Sequence, residues 1–278
     1  MMSDYRKQFR VEPGIQVRLK DWDPQYSDDH EKKHALLEIE DCRQRLDDLQ
    51  YRLYAERKSS MLICLQAPDA GGKDGVVRHV IASMNPQGCR VASFKQPSAE
   101  ELAHDFLWRV ERQCPGRGEV VIFNRSQYED VLIVRVHDLV PKKVWSRRYE
   151  QINEFERRLA ASGTHILKFF LNISKDEQLR RFGQRLDDPA RQWKISDGDY
   201  AEREYWAVYK EAYEAALTQC STDAAPWYVI PSDHKWFRDL AISRILVETM
   251  EKMDIELPKP TVDIAAIRRN YHEEAQKG

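Results

Sequence analysis

The sequence predicts an α/β fold: three layers, αβα, built on a five-stranded parallel sheet. Three observations carry this. Five short apolar runs, four to seven residues each, recur along the chain, as strands buried on both faces do. Stretches of helical length stand between them, and that alternation makes βαβ units with helices on both faces. No internal repeat divides the chain, so its 278 residues read as one large sheet domain with additions at both ends.

Each element follows in order. Residues 1–27 read as irregular, with Pro13 and Pro24. Leu36, Ile39, Leu46, Leu49 and Leu53 then draw one apolar stripe, an N-terminal helix laid on the core with Asp28 or Asp29 as its cap. Residues 1–55 are thus an extension and helix ahead of the main domain, residues 56–257. Strands are expected at Met61–Ala67, Val91–Phe94, Val120–Phe123, Ile166–Leu171 and Trp227–Ile230. Helices are expected at Asp74–Met84, Ala99–Gln113, Lys142–Leu159, Lys175–Leu186, Tyr200–Thr218 and Trp236–Met253. Residues 258–278, opening with Pro258 and Pro260, read as a tail.

Composition narrows the function. Hydrophobic residues make up 42% and charged residues 32%, which is globular rather than disordered. Lys+Arg total 44 against 46 Asp+Glu, a net charge of -2, so no overall basicity points to nucleic acid. No apolar run is long enough to span a membrane, and the polar stretch Met1–Arg10 has no signal-peptide core. Five scattered cysteines, Cys42, Cys64, Cys89, Cys114 and Cys220, show no zinc spacing; they fit free thiols in a cytoplasmic protein. Charge is uneven, however. Residues 109–194 hold 18 Lys+Arg against 12 Asp+Glu, and residues 195–278 hold 10 against 16. The arginine pairs at 147–148, 157–158 and 180–181 are either solvated helix faces or a basic groove for a long polyanion.

The chemistry centres on the turn after the first strand, Gln66-Ala-Pro-Asp-Ala-Gly-Gly-Lys-Asp-Gly75. It approaches the phosphate-loop pattern GxxxxGK[ST], with Ala67 in the first Gly position and Asp74 in the Ser/Thr position. The context is the required one: strand, glycine-rich turn, helix. N–H groups from Ala70 to Asp74 can point at phosphate oxygens, and the following helix adds its positive end. Gly71 and Gly72 allow φ > 0 and close approach, with Gly75 just beyond. Lys73 brings a point charge to a migrating phosphoryl group. Asp69 inside such a loop implies a Mg²⁺ bridge or a role toward an acceptor phosphate.

A second segment ends the third strand, Ile122-Phe-Asn-Arg-Ser-Gln-Tyr-Glu-Asp130. Parallel sheets place ligand-facing residues at this carboxyl end. Asn124 stands where an Asp is expected, Glu129 restores a carboxylate, and Arg125 offers a planar fork. Arg135 and His137 follow; an ion-paired arginine and a satisfied histidine are the plainer readings. Residues 175–199 carry Arg180, Arg181, Arg185, Arg191, Trp193 and Lys194, with a helix break at Asp188-Pro189. A mobile arginine-bearing lid over about 175–200 is the functional reading, and a packed Trp193 the plain one.

Together these segments resemble the polyphosphate kinase 2 family, most closely its class III branch. The carriers are Asp69–Gly75, Phe123–Leu132 with Arg135-Val-His137, Phe169–Gln178, Arg185–Pro189 and Ala225–Pro231, across roughly residues 30 to 255. The resemblance implies a P-loop kinase-like fold with a helical lid. It implies Mg²⁺-dependent, reversible phosphoryl transfer from inorganic polyphosphate to nucleoside mono- and diphosphates, AMP to ADP to ATP. Asp69, Lys73 and Asp74 match its Walker A positions, Asn124 and Arg125 its Walker B positions, and Arg185 a phosphate-contacting lid arginine. Gln127 departs from the family's common His.

The expected catalytic set is therefore Asp69, Lys73, Asp74, Asn124, Arg125 and Glu129, with Asp69 and Glu129 as metal ligands. Phosphate and polyphosphate are expected on Ala70, Gly71, Gly72, Gly75, Arg135, Arg181, Arg185 and Lys194. A homo-oligomer, dimer or tetramer, is expected, the N-terminal helix pairing subunits or merely covering the core. Two rival readings are an ATP-dependent nucleotide kinase of the thymidylate kinase type and a non-catalytic binding module. Asp74 and the arginine-rich middle weigh against the first; Lys73, Arg125 and the lid arginines weigh against the second.

Overall fold

The computed structural model describes residues 4–277. Five strands form one sheet: β1 (Ser60–Gln66), β2 (Cys89–Ser93), β3 (Val120–Asn124), β4 (Thr164–Asn172) and β5 (Trp227–Pro231). Their order is β2-β3-β1-β4-β5, and every pairing is parallel. The helices among the described residues are α1 (Tyr5–Gln8), α2 (Lys32–Glu56), α3 (Lys73–His79), α4 (Ala99–Leu102), α5 (Trp108–Glu111), α6 (Ile133–Val136), α7 (Lys142–Ala161), α8 (Lys175–Asp187), α9 (Asp197–Glu204), α10 (Trp206–Cys220), α11 (Lys235–Glu251) and α12 (Ile264–Ala275). This is the expected α/β architecture.

The period-two alternation of strands sorts the core into two layers. Met61, Ile63, Leu65, Val120 and Ile122 face the layer holding α2, α3 and α11. Leu62, Cys64, Val121 and Phe123 face the layer holding α7 and α10. Helix α11 is buried nearly all round, because α2 covers its outer side; the N-terminal helix covers the core of its own chain.

Several elements differ from expectation. The stretch Ala99–Gln113 divides into α4 and α5, because Asp105 Oδ1 accepts the Leu107 N–H at 2.9 Å and turns the chain. The stretch Tyr200–Thr218 likewise divides into α9 and α10 at Tyr205. Helix α3 stops at His79 and continues as a 3₁₀ turn, Ile81–Ser83. Neither Asp28 nor Asp29 caps α2, whose N-cap is Glu31; Asp28 instead accepts from the Tyr5 and Tyr26 hydroxyls at 2.9 and 2.8 Å. The tail contains α12, with Ile264, Ile267 and Tyr271 exposed.

The N-terminal segment, expected as irregular, has a defined course. Val11 N–H donates to Trp227 O and Val229 N–H to Phe9 O, both at 2.9 Å, so it covers the β5 sheet edge. It then crosses the carboxyl ends of the strands: Asn172 donates to Trp22 O at 2.9 Å, and Asp233 N–H to Pro24 O at 3.0 Å. All five cysteines are unpaired. Among the described residues no helix is long and apolar enough to cross a membrane.

Candidate active site

The turn between β1 and α3 is held in a shape that apolar strand and helix alone do not dictate. Ala70 (φ 58°) and Gly72 (φ 110°) take the left-handed region, which is costly for alanine and easy for glycine. Gly71 is needed for closeness instead: a Cβ there would lie 2.5 Å from Ala67 Cβ and 2.9 Å from Pro68 O. Among the described residues none accepts a hydrogen bond from the N–H groups of Gly72, Lys73, Asp74 or Gly75. These donors are left for a ligand, and phosphate oxygens suit them. Lys73 folds back over the turn and donates to Ala67 O at 2.8 Å. Burial lowers its pKa, with Asp69 and Glu129 opposing.

The end of β3 brings the second set beside the first, because Asn124 is in register with Leu65. Asn124 Nδ2 donates to Asp74 Oδ1 at 3.0 Å. Arg125 is left-handed (φ 62°), a strained backbone of the kind found at functional sites. Its Nη2 lies 3.4 Å from Asp69 Oδ1. With its amide assigned the orientation that satisfies both neighbours, Gln66 donates to Glu129 Oε1 and accepts from Ser126 Oγ, each at 3.0 Å. Burial raises the Glu129 pKa, against the charges of Arg125 and Lys73. The six expected catalytic side chains thus converge at the carboxyl ends of β1 and β3.

The residues of the expected lid divide. Lys194 Nζ reaches Asp74 Oδ2 at 3.2 Å. Gln178, on α8, donates to Asp69 O at 2.8 Å. Arg185 stays within the lid, donating to Lys194 O at 3.2 Å above the Phe182 ring. Arg181, expected on phosphate, has its guanidinium against the loop in this structure. It is buried, and its guanidinium donates to Ala70 O (2.9 Å), Gly71 O (3.2 Å), Ser232 O, Asp233 O (3.2 Å) and Glu177 Oε1 (2.7 Å). A guanidinium has five N–H donors, so none is free for phosphate. Arg181 braces the loop from behind. Trp193 is not packed; it is 77% exposed. His137 pairs with Glu202 at 3.0 Å.

Each arginine pair has at least one member held by a carboxylate. Arg148 pairs with Asp130 at 2.9 Å, Arg158 with Glu111, and Arg180 with Glu177. Arg135 lies over the Trp145 ring at 4.8 Å. It also lines a groove of ≈ 710 Å³ with Arg18, Lys20 and Lys210, where Glu211 and Glu214 are the acidic neighbours. Lys20 and Lys210 continue into a cavity of ≈ 500 Å³ against Pro68 of the loop, walled by Trp22, Phe170 and Tyr213. Sequence reading missed Arg18, Lys20 and Lys210, because isolated cations in distant segments leave no local signal. It also missed Arg238, buried and paired with Asp239 at 2.7 Å. A Cβ on Gly72 would meet Arg238 Nη1 at 2.0 Å, which is a second reason for glycine there.

Among the described residues no three His, Cys, Asp or Glu side chains gather into a metal cage. Magnesium seldom requires one: it commonly takes one or two carboxylates plus substrate phosphates. Asp69 and Glu129, hard oxygen donors around Arg125 and Lys73, fit that pattern.

The polyphosphate kinase 2 (PPK2) family model matches residues 26–258. The chain belongs to the polyphosphate kinase 2 family. Over 256 residues it is 52% identical to a protein of Meiothermus ruber named AMP/ADP-polyphosphate phosphotransferase, covering 91% of this chain and 96% of that one. An ADP-polyphosphate phosphotransferase of Rhodopseudomonas palustris is 48% identical over 271 residues, covering 92% and 93%. The crystal structure of a polyphosphate kinase 2 from Arthrobacter aurescens TC1 superposes with a TM-score of 0.94 at 42% identity, covering 98% of this chain and 97% of that one. The overall fold is therefore that of a solved member of the family.

Proposed function

We propose that this chain transfers phosphoryl groups reversibly from inorganic polyphosphate to AMP and then ADP, forming ATP. The observation that carries this reading is the convergence of Lys73, Asp69, Arg125 and Glu129 beside a loop of unpaired N–H groups, with a basic groove leading away from it. The names of the relatives from Meiothermus ruber and Rhodopseudomonas palustris agree with it.

The chemistry needs no nucleophilic side chain. A phosphate oxygen of AMP or ADP attacks the terminal phosphorus of polyphosphate in line. The P–O bond to the rest of the chain breaks, and the shortened chain leaves as the anion. The protein supplies position and charge. The N–H groups of Gly72 to Gly75 receive oxygens of the migrating group, with Ala70 and Gly71 shaping their turn. Lys73 offsets its charge. Arg125 holds the acceptor phosphate, and Asn124 keeps Asp74 in place. Asp69 and Glu129 would hold Mg²⁺, which when bound neutralises phosphate oxygens. Lys194 closes the lid, with Arg185 holding the turn that carries it. Arg18, Lys20, Arg135 and Lys210 receive the polyanion, so affinity for polyphosphate falls as salt rises.

Five free thiols suit a cytoplasmic setting. Exposed Leu36 and Leu37 on α2, with Ile264, Ile267 and Tyr271 on α12, support a homo-oligomer, dimer or tetramer. The deciding experiment supplies AMP, polyphosphate and Mg²⁺ without ATP. ADP followed by ATP is expected. Turnover only when ATP is supplied would establish the thymidylate-kinase-type reading instead, and no turnover with either donor would leave a binding module.

A further inference from the structure

Behind the site, on the α7–α10 side of the sheet, lies an ion pair whose hydrogen-bond partners include none of the expected site residues. Lys168 on β4 and Glu156 on α7 are 0% and 1% exposed, with Nζ 2.5 Å from Oε2. Lys168 also donates to Tyr128 Oη (2.8 Å) and Cys220 O (2.6 Å), which uses all three ammonium donors. Glu156 Oε1 accepts from Tyr128 Oη (2.9 Å) and Gln127 Nε2 (2.8 Å). Among the described residues Gln127 Oε1, and Nε1 of Trp227 beside the pair, find no partner.

Two of the three residues that reach the pair, Gln127 and Tyr128, belong to the 3₁₀ turn Gln127–Val131. Glu129 lies in the middle of that turn. On its other side Asp130 is held by Arg148, also from α7, through Oδ1 at 2.9 Å and its carbonyl at 3.1 Å. The turn is therefore pinned on both flanks from one helix, while Glu129 turns the opposite way to Gln66. Stability alone does not account for the pair, since well-packed apolar residues replace buried ion pairs at little loss and sometimes a gain.

We propose that Lys168, Glu156 and Tyr128 are positioning residues that fix the direction of the Glu129 carboxylate. The inference rests on the role given to Glu129 in the proposed function. A carboxylate on a short 3₁₀ turn has no regular helix to aim it, and the hydroxyl of Tyr128 locks the neighbouring side chain to a fully buried charge pair.

The test is a double-mutant cycle between Tyr128→Phe and Glu129→Gln, reading kcat and KM for ADP and polyphosphate together with Tm. Tyr128→Phe removes one hydroxyl and keeps the ring against Trp227, whose centroid is 4.7 Å away. Expected is a kcat about 10-fold lower with KM little changed. In the Glu129→Gln background the same change has less than about a twofold effect, because there is no carboxylate left to aim. An equal fractional loss in both backgrounds, or an unchanged kcat in Tyr128→Phe, overturns the proposal. If Glu129→Gln itself keeps the wild-type rate, the role of Glu129 fails first and takes this inference with it. A second variant, Glu156→Leu with Lys168→Met and Tyr128→Phe, removes the network while keeping the volume filled. Its kcat is expected to match that of Tyr128→Phe; a stable variant with wild-type kcat also overturns the proposal.

Discussion

Lys194 Nζ stands 3.2 Å from Asp74 Oδ2, joining the proposed lid to the first turn after the phosphate loop. The other oxygen of Asp74 accepts from Asn124 at 3.0 Å, so one carboxylate connects lid, loop and β3. Burial works to raise its pKa; the hydrogen bonds from Asn124 and Lys194 and the nearby charges of Lys194 and Lys73 outweigh this and hold it below the usual carboxylate range. Exposed pairs of this kind contribute at most about 1 kcal/mol, so the pair matters for lid position more than for folding. Lys194→Ala should lower kcat/KM for polyphosphate about 10-fold while moving Tm by no more than about 2 °C. Steady-state kinetics and a thermal melt check both halves.

Lys73 separates catalysis from stability in the opposite sense. Its folded pKa is lowered, chiefly by burial. A lysine whose folded pKa lies below its unfolded value disfavours folding throughout the pH range below the unfolded value, where the unfolded chain binds the proton more tightly. Lys73→Met should therefore lose about 10²–10³ in kcat and keep or raise Tm. A variant with full rate would remove Lys73 from the chemistry.

Arg181 is expected to behave as a brace. Lysine cannot reproduce its five-donor pattern on four carbonyls and Glu177. Arg181→Lys should destabilise the fold by about 2–4 kcal/mol in denaturant titrations. The slope of log KM for polyphosphate against log salt should stay at the wild-type value. Unchanged stability with a shallower slope would return Arg181 to the phosphates.

Two glycines give contrasting outcomes. Gly71→Ala would put a methyl group 2.5 Å from Ala67 Cβ, so the loop must move; a kcat loss of about 10²-fold is expected. Gly183, on α8, has nothing within 4 Å of its added Cβ. Gly183→Ala should stabilise the lid helix by up to about 1 kcal/mol. Limited proteolysis of the lid and kinetics on both variants read the difference.

Asp130 supplies a pH dependence. Burial raises its pKa from 3.8 to about 6, with Arg148 opposing. Because the folded value is the higher one, the folded state binds the proton more tightly. The associated stabilisation is full below about 3.8 and is lost as pH rises through about 6. Relative to Asp130→Asn, the wild-type chain should gain about 2–3 kcal/mol of stability between pH 8 and pH 4. Denaturation at several pH values in that range measures it.

The parallel sheet, its two covered faces and the placement of Asp69, Lys73, Asp74, Asn124, Arg125 and Glu129 were all legible along the chain. Local patterns carry them: apolar runs of strand length, a glycine-rich turn between strand and helix, and polar residues where a strand ends. Other features were not. The left-handed backbones at Ala70 and Arg125 contradict residue preference, and only the packed surroundings hold them. Arg181 looked like a phosphate ligand because a lid helix bears it, yet docking of α8 turns it onto the loop carbonyls.

What the sequence by itself determined is the alternation of elements and the chemistry carried by short contiguous motifs, because periodicity and turn preference act over a few residues. What only the tertiary structure decided is which distant groups meet. Arg18, Lys20, Arg135 and Lys210 come from three separate regions to line one groove. Lys168 and Glu156 meet behind the Glu129 turn, and Arg238 stands against Gly72. Such meetings depend on how helices and the N-terminal segment pack on the sheet, where burial and hydrogen-bond satisfaction are settled by the whole fold at once.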